Sequence, residues 1–244
     1  MRFAIIAVMA TALPLAACSP DPVGPLAAET ARVRLASASP DAGTLDLLVN
    51  GKTVAQAVAR TEVSPPAVLE PGPATGLIRA SGSETALVTL PLALEAGRSY
   101  TVMVAGPVGA LTAMVSADTG STGTQPPPPP TPVDSGTPPP TPSDLVRFRI
   151  LHAAPHAPPI DPYLTGAAAS LDTLPTIQPF AYGSLALTAD LIRWPGHWTV
   201  DFVQPESREV LLTSGDLDAK AGELITVVLG ENADRSLRVD VLRE

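Results

Sequence analysis

The 244-residue chain has one cysteine, three histidines and only two lysines, Lys52 and Lys220. With Cys18 alone, no disulfide can form within the chain, so the fold has to be held by packing. No nucleophile elbow, phosphate-binding loop, HExxH-type zinc motif or cysteine pair occurs, and no serine stands in a recognisable triad context. Basic residues number 15 against 24 acidic ones, a formal charge of −9, which argues against nucleic-acid binding and against adhesion to anionic headgroups by charge alone. Apolar runs are short everywhere except Phe3 to Leu15, and that stretch falls below the roughly 20 residues a membrane-spanning helix needs.

What is present begins with that stretch. Arg2 followed by an apolar segment ending in Leu15-Ala16-Ala17-Cys18 reads as a signal peptide over residues 1–17. The four residues resemble a lipobox: small residues suit the peptidase pocket, and the Cys18 thiol would carry diacylglycerol (palmitate or a similar chain). Several acyl chains on one cysteine give stable anchoring. The expectation is an exported protein, lipid-anchored through Cys18 in the cell envelope, with Ser19 favouring the outer membrane of a Gram-negative bacterium. Residues 18–30 then form a tether. Removing Arg2 makes the count 14 basic against 24 acidic, or −10.

Hydrophobic content of 45% points to sizeable cores. Proline, at 29 residues, is concentrated between Gln125 and Ser143, in QPPPPPTPVDSGTPPPTPS. Lacking N–H groups, this segment can join no ladder. Residues 118–143 are therefore expected to be a linker of polyproline II character, and Pro126 to Pro142 would span roughly 50 Å if extended. Its flanks repeat one another. Val33-Arg34-Leu35-Ala36-Ser37-Ala38-Ser39-Pro40-Asp41 lies over Phe148-Arg149-Ile150-Leu151-His152-Ala153-Ala154-Pro155-His156 at an offset of 115, and Ala96-Gly97 over Ala221-Gly222 at 125. Two repeats of this length are two domains, at 31–117 and 144–244.

Each repeat reads as all-β. Val33 and Leu35 alternate with Arg32 and Arg34, Trp198, Val200 and Phe202 with Thr199 and Asp201, and Leu237, Val239 and Val241 with Arg238 and Asp240. Asn50-Gly51 is a strong hairpin signal. The expected fold is two immunoglobulin-like antiparallel β-sandwich domains joined by the proline-rich linker. Thr53 to Arg60 is the one stretch with helical character.

The pattern resembles the tandem exported domains catalogued as domain of unknown function 4397 (DUF4397). The first copy carries Ala38-Ser39-Pro40-Asp41-Ala42, Asp46, Val49-Asn50-Gly51 and Ala96-Gly97-Arg98-Ser99-Tyr100-Thr101-Val102. The second carries His152-Ala153, Pro155, Ala157-Pro158, Asp161, Tyr163 and Gly166, with His156 in place of the acid. The resemblance implies a fold and an exported location and brings no established activity.

Three sets of residues could carry chemistry. His152, His156 and Asp161 could hold a metal, although Pro155, Pro158 and Pro159 prevent a helical ligand face; a proline-rich loop leaving a strand is the plainer reading. Asp46 and Asp161 stand at matching positions, as calcium or sugar ligands or as outward strand residues making turn hydrogen bonds. Seven of the nine aromatic residues fall in the second repeat, and Leu185, Leu187, Ala189 and Leu191 look like one inward face that leaves Thr188, Asp190 and Trp194 on the other. Trp194, with Tyr182 or His197, could stack on a sugar ring or an apolar group of a partner. The expected role is non-enzymatic, binding or structural, toward an envelope glycan or protein, with no cofactor. The alternative is an envelope hydrolase or metal-dependent enzyme using the His152/His156/Asp161 loop. In the first reading the tether keeps one domain near the membrane and the linker projects the other outward.

Overall fold

The computed structural model describes residues 30–118, 144–166, 180–183, 185–186 and 191–244. They form two all-β units, each of two packed sheets. In the first, β1 (Ala31–Ala38), β4 (Ala67–Leu69), β7 (Ser99–Ala105) and β8 (Thr112–Asp118) make a sheet of order β4-β1-β7-β8. Facing it are β2 (Leu45–Val49), β3 (Lys52–Val58), β5 (Gly72–Ala80) and β6 (Ala86–Leu94), in the order β3-β2-β5-β6. In the second unit, β9 (Val146–His152) lies between β16 (Leu224–Glu231) and the short β11 (Leu185–Ala186) and β12 (Ile192–Arg193), and β17 (Leu237–Arg243) completes the sheet. The other sheet joins β10 (Asp161–Gly166), β13 (Gly196–Val203) and β14 (Val210–Thr213), with β15 (Leu217–Ala219) also on β13.

The two units share a pairing register. Arg32 pairs with Ser99 as Arg147 pairs with Leu224, so the sequence offsets of 115 and 125 are also structural offsets. Both pairings are parallel, whereas the sequence pointed to antiparallel strands throughout. The reason is connectivity: β1 and β7, like β9 and β16, are separated by the whole opposite sheet, and a long crossover can bring its strand back in either direction.

Alternation builds the two cores. Val33, Leu35, Leu45, Leu47, Ile78 and Val102 fill the first, and Phe148, Ile150, Phe180, Val200, Phe202 and Val227 the second. Trp198 packs edge-on to Phe148 at 6.1 Å and lies partly within the second core. Asn50 and Gly51, with φ of 49° and 79°, make the tight turn between β2 and β3 that their sequence calls for. β8 continues through Asp118, one residue past the boundary expected for the first repeat.

The helical reading of Thr53 to Arg60 is corrected. Residues 53–58 belong to strand β3 and 59–60 to the turn after it, and the i, i+3 apolar spacing comes from a β-bulge. Leu45 pairs with Val58 and Leu47 with Ala55, so β3 carries one extra residue there, and a second between the Leu47–Ala55 and Leu48–Thr53 pairs. Ala57 takes up the former bulge with φ of 54°.

The expectation that the linker projects the second unit away is also corrected, because the two units are docked face to face. The outward residues of β1, β7, β9, β16 and β17 form a third cluster: Ala36, Ala38, Met103 and Ala105 against Leu151, Ala153, Val228 and Leu242. Arginines expected to face solvent lie in or beside this contact. Arg34 pairs with Glu244, whose side chain is 1% exposed, and donates from Nε to Thr101 Oγ1 at 3.0 Å. Arg149 Nη1 lies 3.6 Å from Glu244 Oε1. Arg238 donates to the Ala38 carbonyl at 2.7 Å and, through Nε, to Asp240 at 2.8 Å; Arg60 approaches Asp240 from the first unit at 3.8 Å.

These contacts align the two units end to end. Arg34 sits near the start of β1 and Glu244 just past the end of β17, while Ala38 and Arg238 meet at the opposite end. Residue 30, Asp118, Asp144 and Glu244 therefore all lie at one pole. The opposite, distal pole carries the β1–β2, β7–β8, β9–β10 and β16–β17 loops.

Candidate functional site

The β9–β10 loop at the distal pole holds the three residues proposed as metal ligands. His152 ends β9 on the side of its own core, fully buried between Phe180 and Tyr182 at 6.0 and 6.5 Å. Burial holds its pKa below the ordinary imidazole value, so the ring is neutral at pH 7. The Pro158 carbonyl, 3.3 Å from Nε2, can only accept, which places the proton on Nε2; Nδ1 then accepts from the Ala154 N–H at 3.4 Å. Both nitrogens are committed.

His156 turns elsewhere. Its Nδ1 donates to Glu231 Oε1 at 2.8 Å and its backbone N–H to Oε2 at 3.1 Å, while Glu231 itself is 3% exposed. The first unit holds the equivalent loops with the opposite polarity: Asp41, in the position of His156, accepts from the Val108 N–H at 2.9 Å. Carboxylate and donor have exchanged loops, so His156 belongs to a loop-to-loop staple. Asp161 is buried at the start of β10, opposite Val203. Among the described residues no three His, Cys, Asp or Glu side chains stand close enough to hold a metal ion.

Asp46, the counterpart of Asp161, is 2% exposed although its parity points away from the core. Its Oδ1 accepts from the Ala57 N–H at 3.0 Å and from Ser81 Oγ at 2.7 Å, and Arg79 Nε lies 3.5 Å from Oδ2. Burial alone would raise this pKa; the Ser81, Ala57 and Arg79 interactions outweigh it and hold the pKa below the ordinary aspartate value. The carboxylate locks the β3 bulge.

The three residues grouped as an aromatic ligand site are separated. Tyr182 lies at the distal pole, where the neighbouring Gly183 donates to the His152 carbonyl at 2.9 Å. Its hydroxyl donates to the Ala110 carbonyl at 3.1 Å and meets Thr112 Oγ1 at 2.5 Å, so it bridges the two units. Trp194 lies at the other end of β9, beside the Arg193–Val146 pair, half-buried, with its carbonyl accepting from Trp198 Nε1 at 3.0 Å. His197 shares that turn and is exposed. Of the residues assigned with them to an inward and an outward face, Leu191 is buried at 1%, while 187–190 lie outside the described residues.

His197 donates from Nδ1 to Asp216 at 2.9 Å. That hydrogen bond, and then the charges of Asp216 and Asp218, raise its pKa above the ordinary value. A raised folded-state pKa means the pair stabilises below the unfolded value and that this contribution fades as pH rises through the folded value. Asp216→Asn is expected to move the His197 titration, followed by NMR of the ring protons, down toward about 6.5. An unchanged midpoint would remove Asp216 as the cause.

Residues 31–127 match the model of the family described as domain of unknown function (DUF4397), which covers the first unit and nine residues beyond β8. No curated protein matches the chain. Among the described residues no helix is long and apolar enough to cross a membrane.

Proposed function

We propose that this is an exported envelope protein, lipid-anchored at Cys18, whose two units are divergent copies of the same family domain and act as one rigid, non-enzymatic binding or structural module. The observation that supports this most is the placement of the chain ends. Residue 30, which leads back to Cys18, and both ends of the linker lie at one pole, so a tether there turns the distal loops away from the bilayer. The distal pole exposes Val108 at 44% and Tyr182 at 36% beside the half-exposed His156, a mixed apolar and polar surface suited to an envelope glycan or protein. Trp194 and His197 lie at the anchored pole, which favours the distal loops as the surface offered to a partner. The enzymatic alternative draws no support from His152 and His156, whose rings are bonded to separate structural partners, the Pro158 carbonyl and Glu231.

The anchoring is tested by expressing the full chain in a Gram-negative host and partitioning membranes with a phase-separating detergent. The native chain is expected in the detergent phase and Cys18→Ser in the aqueous phase. Equal partitioning of the two would remove the lipid anchor and, with it, the outward orientation of the distal loops.

A further inference from the structure

At the anchored pole the first sandwich opens into a cleft of about 530 Å³ between its two sheets, within the roughly 300–1,000 Å³ of small-ligand sites. Its walls are apolar, formed by Val49, Leu69, Leu94, Pro71 and Pro73, with Val68 at the lip and 55% exposed. The polar lining is Thr30, Asn50, Lys52 and Glu70. Asn50 is committed to the β2–β3 turn, since its side chain accepts from the Thr75 N–H at 2.9 Å. Lys52 comes from one sheet, and Arg32, the direct cross-strand partner of Val68, from the other. Both cations are exposed, and among the described residues neither side chain makes an ion pair or hydrogen bond. By contrast, Arg79, Arg98 and Arg243 each meet a carboxylate. In a chain this acidic, an uncommitted lysine in the cleft lining and an uncommitted arginine next to the exposed lip valine, on the outer face of its sheet, form a distinct local surface.

We propose that this cleft docks on the bilayer, admitting an acyl chain of an anionic phospholipid while Arg32 and Lys52 meet its phosphate. The assignment to a membrane lipid rests on the anchoring reading. Cys18 is 12 residues from Thr30, so an acylated Cys18 keeps the cleft within roughly 40 Å of the bilayer even with the tether fully extended. The overall negative charge does not oppose this contact at physiological salt, because charges beyond about 8 Å are largely screened. Among the acids close by, Glu95 is already paired with Arg98, and Glu70 is the one acid in the lining.

The test uses the chain from Ser19 to Glu244, which contains both units and no acylation site, so its result does not depend on Cys18. It is sedimented with vesicles of phosphatidylglycerol in phosphatidylcholine and with vesicles of phosphatidylcholine alone. Binding is expected only to the anionic vesicles. Arg32→Ala/Lys52→Ala should bind roughly thirtyfold more weakly, about a factor of five for each cation lost. Val68→Asp should also release the chain, while Arg235→Glu, in the β16–β17 loop at the distal pole, should not. Both cations are exposed, so the double variant is expected to retain its fold, checked by its unfolding midpoint. Equal binding to both vesicle types, binding to neither, or unchanged binding of the double variant would each overturn the proposal. If the soluble chain ignores vesicles while the full chain still partitions through Cys18, the cleft proposal fails and the anchor stands.

Discussion

Replacing Glu244 by alanine is expected to destabilise the protein by about 3–5 kcal/mol and to convert one unfolding transition into two. Glu244 is the acid that faces both Arg34 and Arg149 where the two units meet, and its side chain is 1% exposed. Its removal leaves two guanidinium groups deprived of that counter-charge in a largely buried contact, the situation in which breaking a buried pair costs most. The apolar part of the contact is flat and rich in alanine at Ala36, Ala38, Ala105 and Ala153, so it has little area with which to absorb the loss. Calorimetry of the chain from Ser19 would show the native protein unfolding as one unit and the variant as two. A double-mutant cycle with Arg34→Ala should return a coupling of about 1–3 kcal/mol. A single transition with an unchanged midpoint in Glu244→Ala would mean that the two units do not depend on this contact.

The second large effect is expected at Asp46. Asp46→Ala removes the acceptor that holds the Ala57 N–H and the Ser81 hydroxyl, and leaves Arg79 without its carboxylate. Hydrogen bonds to a charged group contribute roughly 1.5–3 kcal/mol each, so a total loss of about 3 kcal/mol is expected even if water replaces some of them. The damage should concentrate at β3, and hydrogen exchange at Ala57 should accelerate well before that of β1 or β7. The pH dependence has a definite sign. The folded-state pKa is lowered, so the stabilisation is fully present above the unfolded aspartate value of about 3.9 and is lost as pH falls through the folded value. The native chain should therefore lose stability more steeply than Asp46→Asn in that acid range. Parallel acid limbs for the two proteins would show that Asp46 does not carry this linkage.

Much of the fold was legible in the sequence because its signals are local. The Asn50-Gly51 turn, the alternation in β1, β13 and β17 and the offset of 115 each depend on a few neighbouring residues. What was not legible depends on which face of a sheet meets what. Alternation places Arg34, Arg149, Arg238 and Asp240 on the face away from their own core, but it cannot distinguish a face in water from a face against a second sheet. The same limit hid Asp46, outward by parity yet covered by the β3 bulge and Ser81. The bulge itself disguised a strand as a helix, since one inserted residue turns a spacing of two into a spacing of three at Ala55 and Val58. Among the candidate site residues, the sequence named His152 and His156 but not Glu231, which holds His156 from 75 positions away. Tyr182 and Trp194 were grouped by type and nearness in sequence, and the length of β9 separates them.

The most direct measurement is small-angle X-ray scattering of the chain from Ser19 to Glu244 in dilute solution. Docked units predict a pair-distance distribution with a single maximum and a radius of gyration near 20 Å, close to the compact-protein expectation of roughly 17 Å for this length with an allowance for tether and linker. A distribution with two maxima and a markedly larger radius would describe two beads on a spacer. It would contradict the shared pole for the chain ends and, with it, the outward presentation of the distal loops.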